Sequence, residues 1–126
     1  MKNKIPELKY LLSILKTNVF NYHDFMYFKK KKIDLENIWN NKIQIKKIDP
    51  RKIKKFYLKK KDIIPEEELE KFKKENIGLL TVYDKAYPFL LRNIPSPPAA
   101  LFYKGNIALI NKLQLAVIGS RRPSPY

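Results

Sequence analysis

Leu113–Tyr126 reads LQLAVIGSRRPSPY, and this stretch decides the fold. A short apolar run, Leu115-Ala116-Val117-Ile118, breaks at Gly119. Such a run bounded by a turn signal predicts a buried parallel strand. Behind the glycine come a hydroxyl and two guanidinium groups, Ser120, Arg121 and Arg122. That is the chemistry of an anion-holding loop: glycine lets backbone N–H groups approach a phosphate, and Arg offers a planar donor fork. A strand with its phosphate loop is how an α/β domain opens. The sequence stops before the following helix and second strand, so the expected fold class is α/β, or α+β as the chain stands.

Upstream, Tyr87-Pro88, Leu91, Ile94, Pro97-Pro98, Leu101, Tyr103 and Gly105 lead at close spacing into Ala116-Val117-Ile118-Gly119-Ser120-Arg121. This ordered string resembles the DNA-processing protein A family (DprA, also called Smf), over roughly residues 77–126. The resemblance implies that residues 77–126 begin a Rossmann-like domain, truncated here. It implies that a helical, sterile-alpha-motif-like domain precedes it. It also makes Gly119, Ser120 and Arg121 the phosphate-holding loop, with Arg122 as a second contact. The glycine-containing helix-hairpin-helix of some family members is absent, because no glycine stands before Gly78.

Residues 1–76 carry the 3.6-residue pattern of a small helical domain. Leu8, Leu11, Leu12 and Leu15 predict one buried stripe on a helix over residues 6–16. Asn21 and Asp24 are spaced as a capping box, with Phe20 and Phe25 as its hydrophobic staple. Asp34 caps a short helix bearing Leu35, Ile38 and Trp39, with Trp39 expected as the core anchor. Asp49-Pro50 starts a helix expected to bury Ile53, Phe56 and Tyr57 and to expose Lys52, Lys54, Lys55, Lys59 and Lys60. Pro65 starts the fifth helix, with Glu66, Glu67 and Glu68 in its first turn and lysines near its end, the order a helix dipole favours. Asn76-Ile77-Gly78 ends it. Strands are expected at residues 79–83 and 101–103, with a helical turn near residues 87–91. Tyr87 and Tyr103 either stack on nucleic-acid bases or pack against the proline segment; packing is the expectation.

Composition bounds the function. The chain has 126 residues, 44% of them hydrophobic and 13% aromatic, which is enough for a core. With no cysteine, disulfides and thiolate metal sites are excluded, as fits a reducing compartment. No run of 18 apolar residues predicts a membrane span, and the N-terminus lacks the apolar stretch of a secretory signal. The net charge is +15. Residues 1–76 hold 21 Lys and Arg against 11 Asp and Glu, and residues 77–126 hold 6 against 1. Such a balance favours polyanions, although codon-driven lysine enrichment accounts for part of it. The lone His23 has no metal-ligating or catalytic companion at ligand spacing.

Two functions are open at this point. The first, carried by the resemblance, is a non-enzymatic, cytoplasmic binding role without cofactor. It comprises binding of single-stranded DNA in natural transformation and hand-off to the RecA recombinase. By resemblance the complete family protein forms a homodimer. The second is a nucleotide-binding or nucleotide-hydrolysing Rossmann-like enzyme. Against it, Gly119 is followed by Ser-Arg-Arg-Pro and not by the spacing G-x-G-x-x-G, and no nucleophile–base pair is evident. Because one strand cannot satisfy its own edges, residues 113–126 are expected to be makeshift in isolation. The helical domain is expected to fold alone, and the chain by itself to have little transformation activity.

Overall fold

The computed structural model describes residues 5–42 and 44–122; of Ile5 and Pro6 only the backbone is described. Five helices come first: α1 (Ile5–Thr17), α2 (Tyr22–Lys30), α3 (Leu35–Trp39), α4 (Pro50–Lys59) and α5 (Pro65–Lys74). A 3-10 turn, Lys60–Asp62, extends α4. Then come β1 (Gly78–Thr81), the short helix α6 (Phe89–Arg92), β2 (Ala100–Tyr103) and a 3-10 helix at Ile107–Asn111. The two strands pair antiparallel, Gly78 opposite Tyr103 and Thr81 opposite Ala100. The fold is therefore mixed helix with a two-stranded antiparallel sheet, an α+β arrangement.

Helix α1 is the centre of the bundle, packed on α5 and α3. Its buried surface is wider than one leucine stripe. Leu11, Leu12 and Ile14 are buried, and so are Ser13 and Thr17, whereas Leu8 and Leu15 are half-buried. The two hydroxyls are satisfied within the helix: Ser13 Oγ donates to the Lys9 carbonyl at 2.8 Å and Thr17 Oγ1 to the Ile14 carbonyl at 2.7 Å. A buried hydroxyl needs such a partner, and the preceding turn supplies one.

The caps fall where the sequence puts them. Asn21 Oδ1 accepts from the Asp24 amide at 3.1 Å, and the Asp24 carboxylate accepts from the Asn21 amide at 2.8 Å. Asp34 and Asp49 accept from the amides of Glu36 and Arg51, each at 2.8 Å. The Asn21→Ala substitution removes one partner of the reciprocal pair. It should cost about 1 kcal/mol, read as a lower urea midpoint with unchanged slope.

The main core joins Leu11, Ile14, Phe20, Phe25, Phe28, Ile38, Ile48 and Phe56. Trp39 is not its anchor. It is half-buried and meets the edge of Phe56, at 5.9 Å between centroids, whereas Phe56 has no exposed surface. Helix α4 also differs from expectation on three side chains. Tyr57 is exposed. Lys52 is half-buried and reaches Asp24 at 2.5 Å. Lys60 turns inward, its ammonium 5.4 Å from the Trp39 ring centre and 5.5 Å from that of Phe56. It donates to the Trp39 carbonyl and to Asn41 Oδ1. Burial pulls its pKa below the ordinary lysine value. A long aliphatic stem allows this, covering apolar surface while the charged end finds carbonyl and ring partners.

The hairpin lies against the helices. Leu79, Tyr83 and Ala99 pack on the main core, and Tyr83 Oη donates to the Phe25 carbonyl. Burial pushes the Tyr83 phenol well above its usual pKa. Phe72 of α5 meets Phe102 of β2 at 6.3 Å. A second cluster, Leu80, Val82 and Tyr87, fills the other side of the hairpin with Leu91, Leu101 and Ile107.

Candidate nucleic-acid interface

The expected strand at residues 115–118 is not formed. No ladder pairs it with β1 or β2, and Leu115, Val117 and Ile118 are about nine-tenths exposed, at 90%, 89% and 94%. The reason is the hydrogen-bond requirement: a strand persists where its amides and carbonyls find a neighbour, and the hairpin offers none at this position. The apolar run instead lies open to solvent.

The four residues expected to hold phosphate are adjacent and exposed. Gly119 has open space around it, and a Cβ there would meet nothing within 4 Å. Ser120 Oγ accepts from the Arg122 amide and donates to the Arg122 carbonyl, both at 3.1 Å. This closes a small serine turn. Arg121 and Arg122 are exposed, and no carboxylate of the described residues lies within ion-pair distance of either. The turn therefore presents two guanidinium groups, without an ion-pair partner among the described residues, beside a glycine. The neighbouring residues 123–126 lie outside the described part.

Tyr87 of the upstream motif, with Asp84 and Arg92 beside it, builds a scaffold for the hairpin. The Asp84 carboxylate accepts from the Thr81 amide and from Thr81 Oγ1, both at 2.7 Å. Arg92 donates to the Asp84 carbonyl at 2.7 Å and lies over the Tyr87 ring at 5.6 Å. Tyr87 Oη donates to the Pro98 carbonyl at 2.8 Å. Burial raises the Tyr87 pKa. Tyr87 is thus a packed residue with its hydroxyl committed, and of the two roles weighed for it base stacking is excluded in this arrangement. Tyr103 is half-buried in β2 opposite Gly78.

A cleft of about 640 Å³ opens between α1, α2, α3 and the end of β1, floored by Leu11, Phe25 and Phe28. Its lining sets Lys29 and Lys32 against Glu7, Asp34, Glu36 and Asp84, so cations do not converge there, and none of residues 119–122 lines it. His23 is exposed and meets the Tyr22 ring edge-on at 5.2 Å. Glu66 and Glu68, at the start of α5, pair with Lys9 at 2.6 Å and Lys16 at 2.5 Å. Those pairs hold α1 to α5 and lower both carboxyl pKa values. Among the described residues no group of three acidic or histidine side chains could hold a metal. Among them, too, no helix is long and apolar enough to cross a membrane.

With this geometry in view, comparison with known proteins is specific. Residues 78–126 match the family described as DNA recombination-mediator protein A, so the resemblance to the DprA/Smf family is shown for the segment that begins at Gly78. Two curated relatives carry the similarity further. One is the DNA processing protein DprA of Bacillus subtilis (strain 168), 36% identical over 59 residues, which cover 46% of this chain and 20% of that protein. The other is Protein Smf of Borreliella burgdorferi, 30% identical over an alignment of 130 positions that covers 95% of this chain and 35% of that protein. The chain thus spans between a fifth and about a third of the length of these relatives. No solved structure matches it.

Proposed function

We propose that the chain is the N-terminal portion of a DNA-processing protein of the recombination-mediator type, with the turn at Gly119, Ser120, Arg121 and Arg122 as its contact to the phosphates of single-stranded DNA. The observation that carries the reading is this turn: two exposed guanidinium groups without a carboxylate partner among the described residues, inside the segment that matches the family. The role is one of binding. Strand protection in natural transformation, transfer to RecA, a homodimer and a cytoplasmic site of action belong to the same reading, and rest on the resemblance.

The reading divides the chain at residue 76. Residues 1–76 are a helical, sterile-alpha-motif-like domain, and residues 77–126 open a Rossmann-like domain. The match that starts at Gly78 supports that division, as does the change from helices to strands there.

The test is a titration of fluorescent oligo-dT at low and moderate salt. Arg121→Ala should weaken binding about tenfold, the loss of one charge-assisted hydrogen bond worth about 1.5 kcal/mol. Salt dependence should be steep and base preference small, since the contacts are to phosphate. Unchanged affinity at both salt concentrations would sink the assignment. Thermal stabilisation by a mononucleotide with none by oligo-dT would favour a nucleotide-binding enzyme.

A further inference from the structure

Lysine is common along the whole chain, but its pairing is not uniform. On α1 and α5 three cations meet carboxylates: Lys9 with Glu66, Lys16 with Glu68, Lys71 with Glu67 and Glu68; Lys73 and Lys74 of α5, like Lys30, Lys31 and Lys32 at the end of α2, are exposed and have no ion-pair partner among the described residues. Beyond them Lys104 approaches Glu75 at 3.9 Å. Between Lys42 and Lys61 stand ten Lys and Arg against a single acid, Asp49. Four of the ten are engaged: Arg51 with Asp49, Lys52 with Asp24, Lys59 with the Thr17 carbonyl and Lys60 with the Trp39 carbonyl. The other six, Lys42, Lys46, Lys47, Lys54, Lys55 and Lys61, are exposed. None of them has an ion-pair partner among the described residues.

Helical geometry collects several of these on one face. Phe56, Ile53 and Lys60 point toward the core. At 100° per residue, Arg51, Lys54 and Leu58 then lie on the opposite side, with Lys55 beside them and Lys61 continuing from the 3-10 turn. From Arg51 to Lys61 the face extends about 15 Å at 1.5 Å per residue. That is the span of about four nucleotides at 3.4 Å along one strand.

We propose that the outward face of α4 is a second nucleic-acid contact, which holds the phosphate backbone of duplex DNA through Lys54, Lys55 and Lys61 without reading bases. The partner is chosen by charge complementarity: a face where Arg51, Lys54, Lys55 and Lys61 outnumber the one exposed acid beside them, Asp62, fits a row of anions. An anionic membrane fits less well, because the apolar side chains of α4 are spent in the core and its outer face offers only Leu58 and Tyr57 to a bilayer. Interfacial helices need a broad apolar face. This contact is independent of the turn at residues 119–122 and uses no glycine hairpin.

The test uses the full chain with Lys54→Gln, Lys55→Gln and Lys61→Gln combined, and a fluorescent DNA duplex titrated between 50 and 200 mM salt. All three positions are exposed, so the fold should persist, which circular dichroism verifies. The slope of log affinity against log salt should become shallower by about 2.7, that is about 0.9 for each lost phosphate contact. The triple Lys→Arg variant should keep the parent slope. An unchanged slope in the Gln variant, or an equal loss in the Arg variant, overturns the proposal. So does binding to phosphatidylserine vesicles that the Gln variant abolishes while duplex binding stays intact. Arg121→Ala measured alongside separates the two sites: it should leave the contribution of α4 unchanged, so failure of one assignment does not mimic failure of the other.

Discussion

Phe56→Ala should lower the free energy of unfolding by about 3–5 kcal/mol, the range for deleting a buried aromatic ring. Phe56 has no solvent-exposed surface. It meets Phe20 at 5.1 Å and Trp39 at 5.9 Å between ring centroids, and the Lys60 ammonium lies 5.5 Å from its ring centre. The loss therefore has two parts. The cavity removes the contacts with Phe20 and Trp39, and the inward-turned lysine loses one of the rings that make its burial tolerable. Phe56→Leu, which keeps most of the volume, should cost clearly less. Urea unfolding followed by far-ultraviolet circular dichroism measures both. A cost below 1 kcal/mol for Phe56→Ala would show that the core is not centred on this ring.

The second large effect is expected at Gly78. It faces Tyr103 across the β1–β2 pair, and the tyrosine ring covers the glycine so closely that a Cβ at residue 78 would come within 2.1 Å of its Cζ. Gly78→Val should cost about 3 kcal/mol, the upper end of ordinary overpacking, because the branch adds volume where the ring already lies. The ring is a side chain and can be removed. In the Gly78→Val, Tyr103→Ala double variant the two losses should therefore fall short of additive, and a double-mutant cycle on thermal stability reads the coupling. Strict additivity would mean that valine disturbs the strand through its backbone and not through Tyr103.

Capping chemistry made the helical part legible from sequence. Asn21, Asp34 and Asp49 announce three helix starts, Pro65 a fourth, and each is a local signal that needs no tertiary knowledge. The rotation of the helices was less legible. Ile14, Ser13 and Thr17 are buried because α1 is flanked on two sides, and periodicity cannot separate a central helix from a surface one. Trp39 drew attention by size, yet Phe56 holds the middle, since a Trp at the end of a five-residue helix is hard to enclose. Lys60 reads as solvated yet is half-buried, because four methylenes let it reach three aromatic rings. The strand expected at residues 115–118 lacks neighbours for its edges, the ground on which the same reading expects that stretch to be makeshift in isolation. The candidate site divides in the same way. The turn at Gly119–Arg122 could be named from residue types alone. The scaffolding roles of Asp84, Tyr87 and Arg92 lie in hydrogen bonds to backbone carbonyls and to Thr81, which no motif spells out. The cationic face of α4 is visible as lysines, but which of them are paired emerges from where the carboxylates lie in space.

The bond from Tyr83 to the Phe25 carbonyl joins residues 58 apart in sequence, and the Lys9–Glu66 pair joins residues 57 apart. Helices α1 to α5 draw on local contacts, which form early and fast, whereas these two links each close a long loop and bear its entropy. Acquisition of the native state is therefore expected to run in two stages. Individual helices form first, and the meeting of α1 with α5 and of the hairpin with α2 comes late, fixing the core only when distant parts of the chain arrive together.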